Sequence, residues 1–213
     1  MKNITITAHT GCENTPDNSL ESIEKGAGYG ADIVEFDIRF DENNTPVLSH
    51  DEPEGSEVTL EQAFAKLAEY ENLKVNLDIK CTKNLNAVQA LAEKYKLLDR
   101  AFYTGVFDDF IDSVKKDSPK IPYYINFRDI LPPDEHTDEY LLSLIEKVKS
   151  SGAIGINFHF GNVSKELVDA FHKNDLLVSV WTINEICDFN RVLEFAPDNI
   201  TTRKPSIAKK LIK

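Results

Sequence analysis

The chain has 213 residues, 41% of them hydrophobic, which suits one large domain with a substantial core. Its 36 acidic and 24 basic residues leave a formal charge of −12, which argues against a nucleic-acid backbone or an anionic membrane surface as the main partner. A small anionic substrate remains compatible, because one bound metal ion reverses a local field. Ile4 to His9 has the pattern of a short strand, followed by helical spacing from Asn18 to Gly30 with Leu20, Ile23 and Ala27 on one side. Asn18 is expected as the N-cap of that helix and Gly30 as its stop. Ile33 to Phe40 reads as the second strand, and Pro46 to Ser49 as a strand-like return after a turn rich in Asn, Pro and Asp. Thr59 opens a helix with the apolar stripe Leu60, Ala63 and Leu67, and TLEQ has capping-box spacing.

Strand and helix then alternate to the end of the chain. The expected strands are Lys74 to Lys80, Ala101 to Val106, Tyr123 to Phe127, Gly155 to Phe160, Leu177 to Ile183 and Asn199 to Thr202. The expected helices are Leu85 to Tyr95, Asp108 to Lys116, Asp138 to Ser150, Ser164 to Lys173, Asn184 to Phe195 and Pro205 to Ile212. Repeated strand–helix units imply a parallel sheet, since right-handed crossovers lay successive strands side by side. Eight such units are the number that closes a (β/α)8 TIM barrel, for which roughly 200 residues is the small end of the range. An open doubly wound sheet is the alternative, but the chain carries neither a GxGxxG nor a GxxxxGKS loop. The α/β barrel is therefore expected to span residues 1–213 as a single domain. Cys12, Cys81 and Cys187 form no CxxC and read as separate thiols in a reducing compartment. With a strand starting at Ile4 and no run of 18 apolar residues, neither a signal peptide nor stable membrane insertion is expected, and the cytoplasm is the expected location.

In such a barrel the active site gathers at the C-terminal ends of the strands. Polar residues collect there in units far apart in sequence: His9, then Glu35 and Asp37, His50, Asp78 and Lys80, Asn157 and His159, Trp181 and Thr182, Thr202 and Arg203. Glu35 and Asp37 share a strand face, as do Asp78 and Lys80, because side chains two apart point the same way. Three carboxylates and no cysteine suit a hard divalent cation, Mg²⁺ or Ca²⁺, rather than zinc. Lys80 beside them can act as a point charge for a phosphate. His9 and His50 suit a general base and a general acid. Together these groups are what phosphoryl-ester cleavage needs: neutralised non-bridging oxygens and protonation of a leaving alcohol.

These segments resemble the glycerophosphodiester phosphodiesterase family of TIM-barrel enzymes. AHTG at Ala8 to Gly11 corresponds to the family's HRG, PDNS at Pro16 to Ser19 to a PENT-like motif, EFD at Glu35 to Asp37 to its ExD strand, and SHD at Ser49 to Asp51 to its HD. LDIK at Leu77 to Lys80, WTIN at Trp181 to Asn184 and TTRKP at Thr201 to Pro205 match later motifs in the right order. The resemblance implies hydrolysis of a glycerophosphodiester to glycerol 3-phosphate and an alcohol. It implies His9 and His50 as catalytic histidines, Glu35, Asp37 and Asp78 as metal ligands, and Lys80 as a phosphate contact. Trp181 is expected to wall the pocket against the glycerol, with a core role as the alternative, and His159 is a further pocket candidate. Attack by water and attack through a cyclic phosphate stay open.

The chain departs from the family pattern in three places. The arginine after the first histidine is Thr10, which occupies a substrate-binding position without the charge for a bidentate phosphate clamp. Arg39 and Arg203 are the candidates to replace it. The third ligand is Asp78 where the family more often has Glu. The inserted subdomain that follows the HD motif is all but missing, so a more open pocket is expected. Other phosphodiester chemistry of a phospholipase or cyclising-lyase type, and a non-catalytic phosphate-ester binding protein, are the alternative readings. His136 and His172 read as surface residues.

Overall fold

Eight parallel strands close on themselves in the computed structural model, which describes residues 4–212 of the chain. In chain order the strands are β1 (Thr5–Ala8), β2 (Ile33–Phe40), β3 (Pro46–Leu48), β4 (Lys74–Ile79), β5 (Ala101–Val106), β6 (Tyr123–Asn126), β7 (Gly155–His159), β8 (Leu177–Trp181) and β9 (Asn199–Thr202). The helices are α1 (Leu20–Gly28), α2 (Leu60–Leu67), α3 (Leu85–Lys94), α4 (Ile111–Asp117), α5 (Asp138–Ser151), α6 (Lys165–His172), α7 (Ile186–Leu193) and α8 (Pro205–Leu211). β1 pairs in parallel with both β2 and β9, which closes the ring. The Pro46 return is β3, an antiparallel arm on β2 that stands outside the ring, with Ile38 opposite Leu48. The expected (β/α)8 TIM barrel is the fold.

The two-residue period of the strands divides their side chains between two environments. Val34, Phe36 and Ile38 of β2 and Val75, Leu77 and Ile79 of β4 are buried in the apolar core. Ala8 and Val34 lie so close under α1 that a Cβ on Gly26 would overlap both, which locates this set on the helix side. The other set, Glu35, Asp37, Asn76 and Asp78, lines the cavity at the mouth of the barrel. TIM-barrel interiors are usually packed with branched apolar side chains. Here part of the interior is a hydrogen-bonded polar layer instead. Asn199 Oδ1 accepts from the hydroxyls of Thr7 at 2.8 Å and Thr5 at 3.0 Å, and its Nδ2 donates to Ser179 Oγ at 3.0 Å. Such groups can be buried because each donor meets an acceptor.

Several local expectations shift by a residue or two. Ser19, not Asn18, caps α1, accepting from the Ser22 amide at 3.1 Å. Asn18 has φ +53 and turns its side chain to the site instead. Gly30 follows the end of α1 at φ +79, as its expected role as helix stop requires. Thr59 and Gln62 form the capping box of α2. Asp108 to Phe110 is a 3-10 turn ahead of α4, and α7 starts at Ile186, leaving Asn184 to accept from the Arg203 amide at 2.9 Å. His172 and His136 are not simple surface residues. His172 Nε2 lies 2.9 Å from Asp198 Oδ2, and His136 Nδ1 lies 2.9 Å from Ser164 Oγ. No helix among the described residues is long and apolar enough to cross a membrane.

Gly155, the first residue of β7, lies flush against β8. A Cβ there would run into the Leu177 carbonyl, which is backbone and cannot rotate aside. Gly155→Ala is expected to lower the unfolding free energy by about 1–3 kcal/mol, seen as a lower urea midpoint at unchanged slope.

Candidate active site

Parallel register aligns the carboxylates. β2 and β4 pair with Glu35 opposite Asn76 and Asp37 opposite Asp78, and β5 continues the row with Thr104 opposite Asp78. Adjacent strands lie about 4.8 Å apart, so in-register side chains on one face must meet. One oxygen each from Glu35, Asp37 and Asp78 lies within 4.8 Å of the others. Glu35 and Asp37 are only 6% and 4% exposed.

Each carboxylate is held from behind. Asn18 grips Asp37 twice: its Nδ2 donates to Asp37 Oδ2 and its Oδ1 accepts from the Asp37 amide, both at 2.9 Å. Thr104 Oγ1 lies 2.7 Å from Asp78 Oδ1 and 2.8 Å from Asn76 Oδ1. The Thr10 amide donates to Glu35 Oε2 at 2.9 Å. Lys80 Nζ sits 2.9 Å from Asp37 Oδ1 and 2.5 Å from Asp78 Oδ2. Partial burial works against its ammonium, but Asp78 and Asp37 outweigh that and hold the Lys80 pKa above its ordinary value. Burial pushes the Glu35 pKa up to about 7; His9 pulls it down, while Asp37 and Asp78 add to the rise.

The donor set fits a hard divalent cation. Oxygens bound at 2.0–2.6 Å around one ion lie no more than about 5.2 Å apart, and one oxygen from each of the three carboxylates meets that limit.

His9 follows β1 and lies 3.6 Å, Nδ1 to Oε2, from Glu35. Its Nδ1 is also 2.8 Å from the Thr10 carbonyl, which can only accept. In neutral His9 the proton is therefore on Nδ1, and Nε2 carries the lone pair. His50 lies beyond β3 at the rim, with a side chain 68% exposed and Nδ1 3.0 Å from Asp51 Oδ1. Both histidines line one cavity of about 620 Å³ with the three carboxylates, Lys80 and Trp181. Thr10 also lines it, but the side chain is 2% exposed and its hydroxyl accepts from the Asn18 amide. His159 is not in that cavity; it lines a neighbouring one and stands edge-on to Trp181 at 5.8 Å.

Of the two arginine candidates, Arg39 is committed to the His50 loop, donating to the His50 carbonyl at 2.9 Å and pairing with Glu52. Arg203 leaves the end of β9, the strand beside β1, and pairs with Asp17 at 2.7 Å. The pair lies directly over Gly11, where φ is +71 and a Cβ would overlap both side chains. Among the described residues, Asn157 Oδ1 is the buried side-chain polar atom left without a hydrogen-bond partner, and Asn157 lines the same cavity. Asn157 appears in the sequence only as one of the polar residues at strand ends, with no role of its own, and Asn18 and Thr104 are not marked as site residues. Asn18 stood in the PDNS motif but was assigned to a helix cap, whereas Thr104 carried no local signal.

The sequence profile described as "Glycerophosphoryl diester phosphodiesterase family" matches residues 9–76, the stretch that carries His9, Glu35, Asp37 and His50. Over these residues the chain is similar to that family. A glycerophosphodiester phosphodiesterase from Caldanaerobacter subterraneus subsp. tengcongensis is 22% identical, with 100% of this chain and 99% of the relative aligned. Among solved structures, a phosphodiesterase from Oleispira antarctica in complex with the product sn-glycerol-3-phosphate superposes with a TM-score of 0.82 at 17% identity, covering 98% of this chain and 96% of that one. A glycerophosphodiester phosphodiesterase from Thermotoga maritima gives 0.73 at 19% identity, covering 99% of each chain.

The grip of Asn18 on Asp37 generates a test. Asn18→Ala removes both hydrogen bonds and frees the carboxylate to rotate. Affinity for Mg²⁺ or Ca²⁺, titrated by calorimetry, is expected to fall about 10- to 100-fold.

Proposed function

We propose that the chain hydrolyses glycerophosphodiesters to glycerol 3-phosphate and an alcohol, with Glu35, Asp37 and Asp78 holding one divalent cation and His9 and His50 moving protons. The observation that carries this reading is the row of in-register carboxylates opening into the same cavity as the two histidines. When bound, Mg²⁺ or Ca²⁺ would supply positive charge to the non-bridging phosphate oxygens.

The chain's own residues do the rest. His9, with its Nδ1 proton donated to the Thr10 carbonyl, offers the Nε2 lone pair as a base. His50, with Nδ1 3.0 Å from Asp51 Oδ1 and its ring at the rim of the cavity, is the acid placed to protonate a departing alkoxide. Lys80 contributes a second positive charge beside the phosphate. Asn157 Oδ1, a buried acceptor, would be satisfied by a glycerol hydroxyl. Trp181, 37% exposed at the mouth, walls the glycerol.

Arg203 takes the part of the arginine that Thr10 replaces. It comes from a different strand, yet reaches the loop just beyond His9 and Thr10 by passing over Gly11. Its guanidinium keeps the bidentate geometry that threonine lacks.

Phosphorus NMR of a glycerophosphodiester digest is expected to show glycerol 3-phosphate, to require added Mg²⁺ or Ca²⁺ after chelation, and to distinguish a cyclic phosphate by its own resonance. His9→Ala and His50→Ala should each reduce kcat about 10²- to 10⁴-fold. Turnover surviving both changes together would sink the assignment. Arg203→Ala should raise KM for the diester by about 10-fold or more, with a partial return in Arg203→Lys, because a charged hydrogen bond to phosphate is lost.

A further inference from the structure

A second cavity of about 360 Å³ adjoins the first and shares Phe107, Asn126, Arg128 and Trp181 with it. It is lined further by Phe127, His159 and Asn162, and no carboxylate is among its lining residues. In a chain with 36 acidic residues, that composition sets this side of the barrel mouth apart from the carboxylate side.

Two of the aromatic faces here, Phe107 and Phe127, already carry the protein's own cations, which leaves Trp181 as the one exposed apolar ring without one among the described lining residues. The Arg128 guanidinium stacks over Phe107, with Cζ 4.3 Å from the ring centroid, and Lys147 Nζ stands 5.8 Å from the centroid of Phe127. A quaternary ammonium group needs such faces free, so this is a poor cage for one. Arg128 meets Asp109 only at 3.8 Å, with both side chains about two-thirds exposed, so most of its charge stays available. His159 adds a donor. Its Nδ1 accepts from the Gly161 amide at 3.1 Å, which puts the proton of the neutral ring on Nε2. Asn162, by contrast, is engaged through Nδ2 with the Ile130 carbonyl.

We infer that this cavity is the subsite for the alcohol half of the diester, and that it selects an alcohol carrying a second anionic group over one carrying a quaternary ammonium. Arg128 is the specificity-determining residue, and Phe107 fixes the plane of its guanidinium. The inference rests on the phosphodiesterase reading for the reaction, but not for the charge preference of the cavity.

The test compares three diesters with the same glycerophosphate half and choline, glycerol or glycerol phosphate as the alcohol, on the full chain with the divalent cation present. The anionic diester is expected to exceed the choline diester at least 10-fold in kcat/KM. Arg128→Gln should shrink that gap about 10- to 100-fold, and Arg128→Lys should keep most of it, since charge rather than shape sets the preference. Equal or better turnover of the choline diester by the wild-type chain overturns the inference, as does an Arg128→Gln loss of the same size on all three substrates. Should none of the diesters turn over, the reading of the reaction fails separately. Calorimetric affinities of the same three compounds for wild type and Arg128→Gln then decide the subsite by the same ordering.

Discussion

The site depends on the parallel pairing of β2 with β4, in which Asp37 stands opposite Asp78. Nothing else in the fold would force these acids together, and nothing about them is comfortable. The buried Asp37, the partly buried Asp78 beside it and the buried Glu35 two residues along the strand repel one another where water screens poorly. The structure meets this with one ammonium, Lys80, lodged between Asp37 and Asp78, and with neutral donors behind each acid. Glu35, the acid without a lysine, has its pKa pushed up to about 7 chiefly by burial, with Asp37 and Asp78 adding to the rise. A cluster of this kind has an electrostatic demand that one divalent cation satisfies, and the spacing of its oxygens suits such an ion.

Charge around the barrel mouth is divided by strand. The β1, β2 and β4 side carries the acids and His9, while Phe107 and Arg128, from the β5 and β6 loops, and Trp181 of β8 form an aromatic and cationic wall. The floor between them is neither apolar nor charged. It is built of side-chain amides and hydroxyls whose donors and acceptors are matched, with Asn157 Oδ1 as the exception. A hydrated or hydroxyl-rich molecule fits such a floor better than an acyl chain does, because an apolar group there would leave more of the amides unpaired.

Much of this was legible in the amino-acid order. The boundaries of β2, β5 and β9 agree with the pattern of apolar residues and turns, and the alternation of eight strand–helix units implies a closed barrel. Period-two spacing is enough to give Glu35 and Asp37 one face, and Asp78 and Lys80 another. The misplacements share one cause. Asn18 looks like a helix cap because Asn caps helices, yet the neighbouring Ser19 can do the same work, which frees Asn18 for a residue 19 positions away. Local propensity cannot weigh a bond to a strand that comes later in the chain. His159, a pocket candidate from its place on β7, lines the cavity that adjoins the carboxylate site, with its ring edge-on to Trp181.

The sequence by itself determined the number of strands, the inward-facing acids and the two histidines, because each follows from a short-range period or a residue's own chemistry. Only the tertiary structure decided that Asp37 and Asp78 are level, that Arg203 passes over Gly11 to meet Asp17, and that Arg128 lies over the Phe107 ring beside a second cavity. Those facts depend on strand register and on the closure of β9 against β1, which are set by packing among residues as far apart as the two ends of the chain.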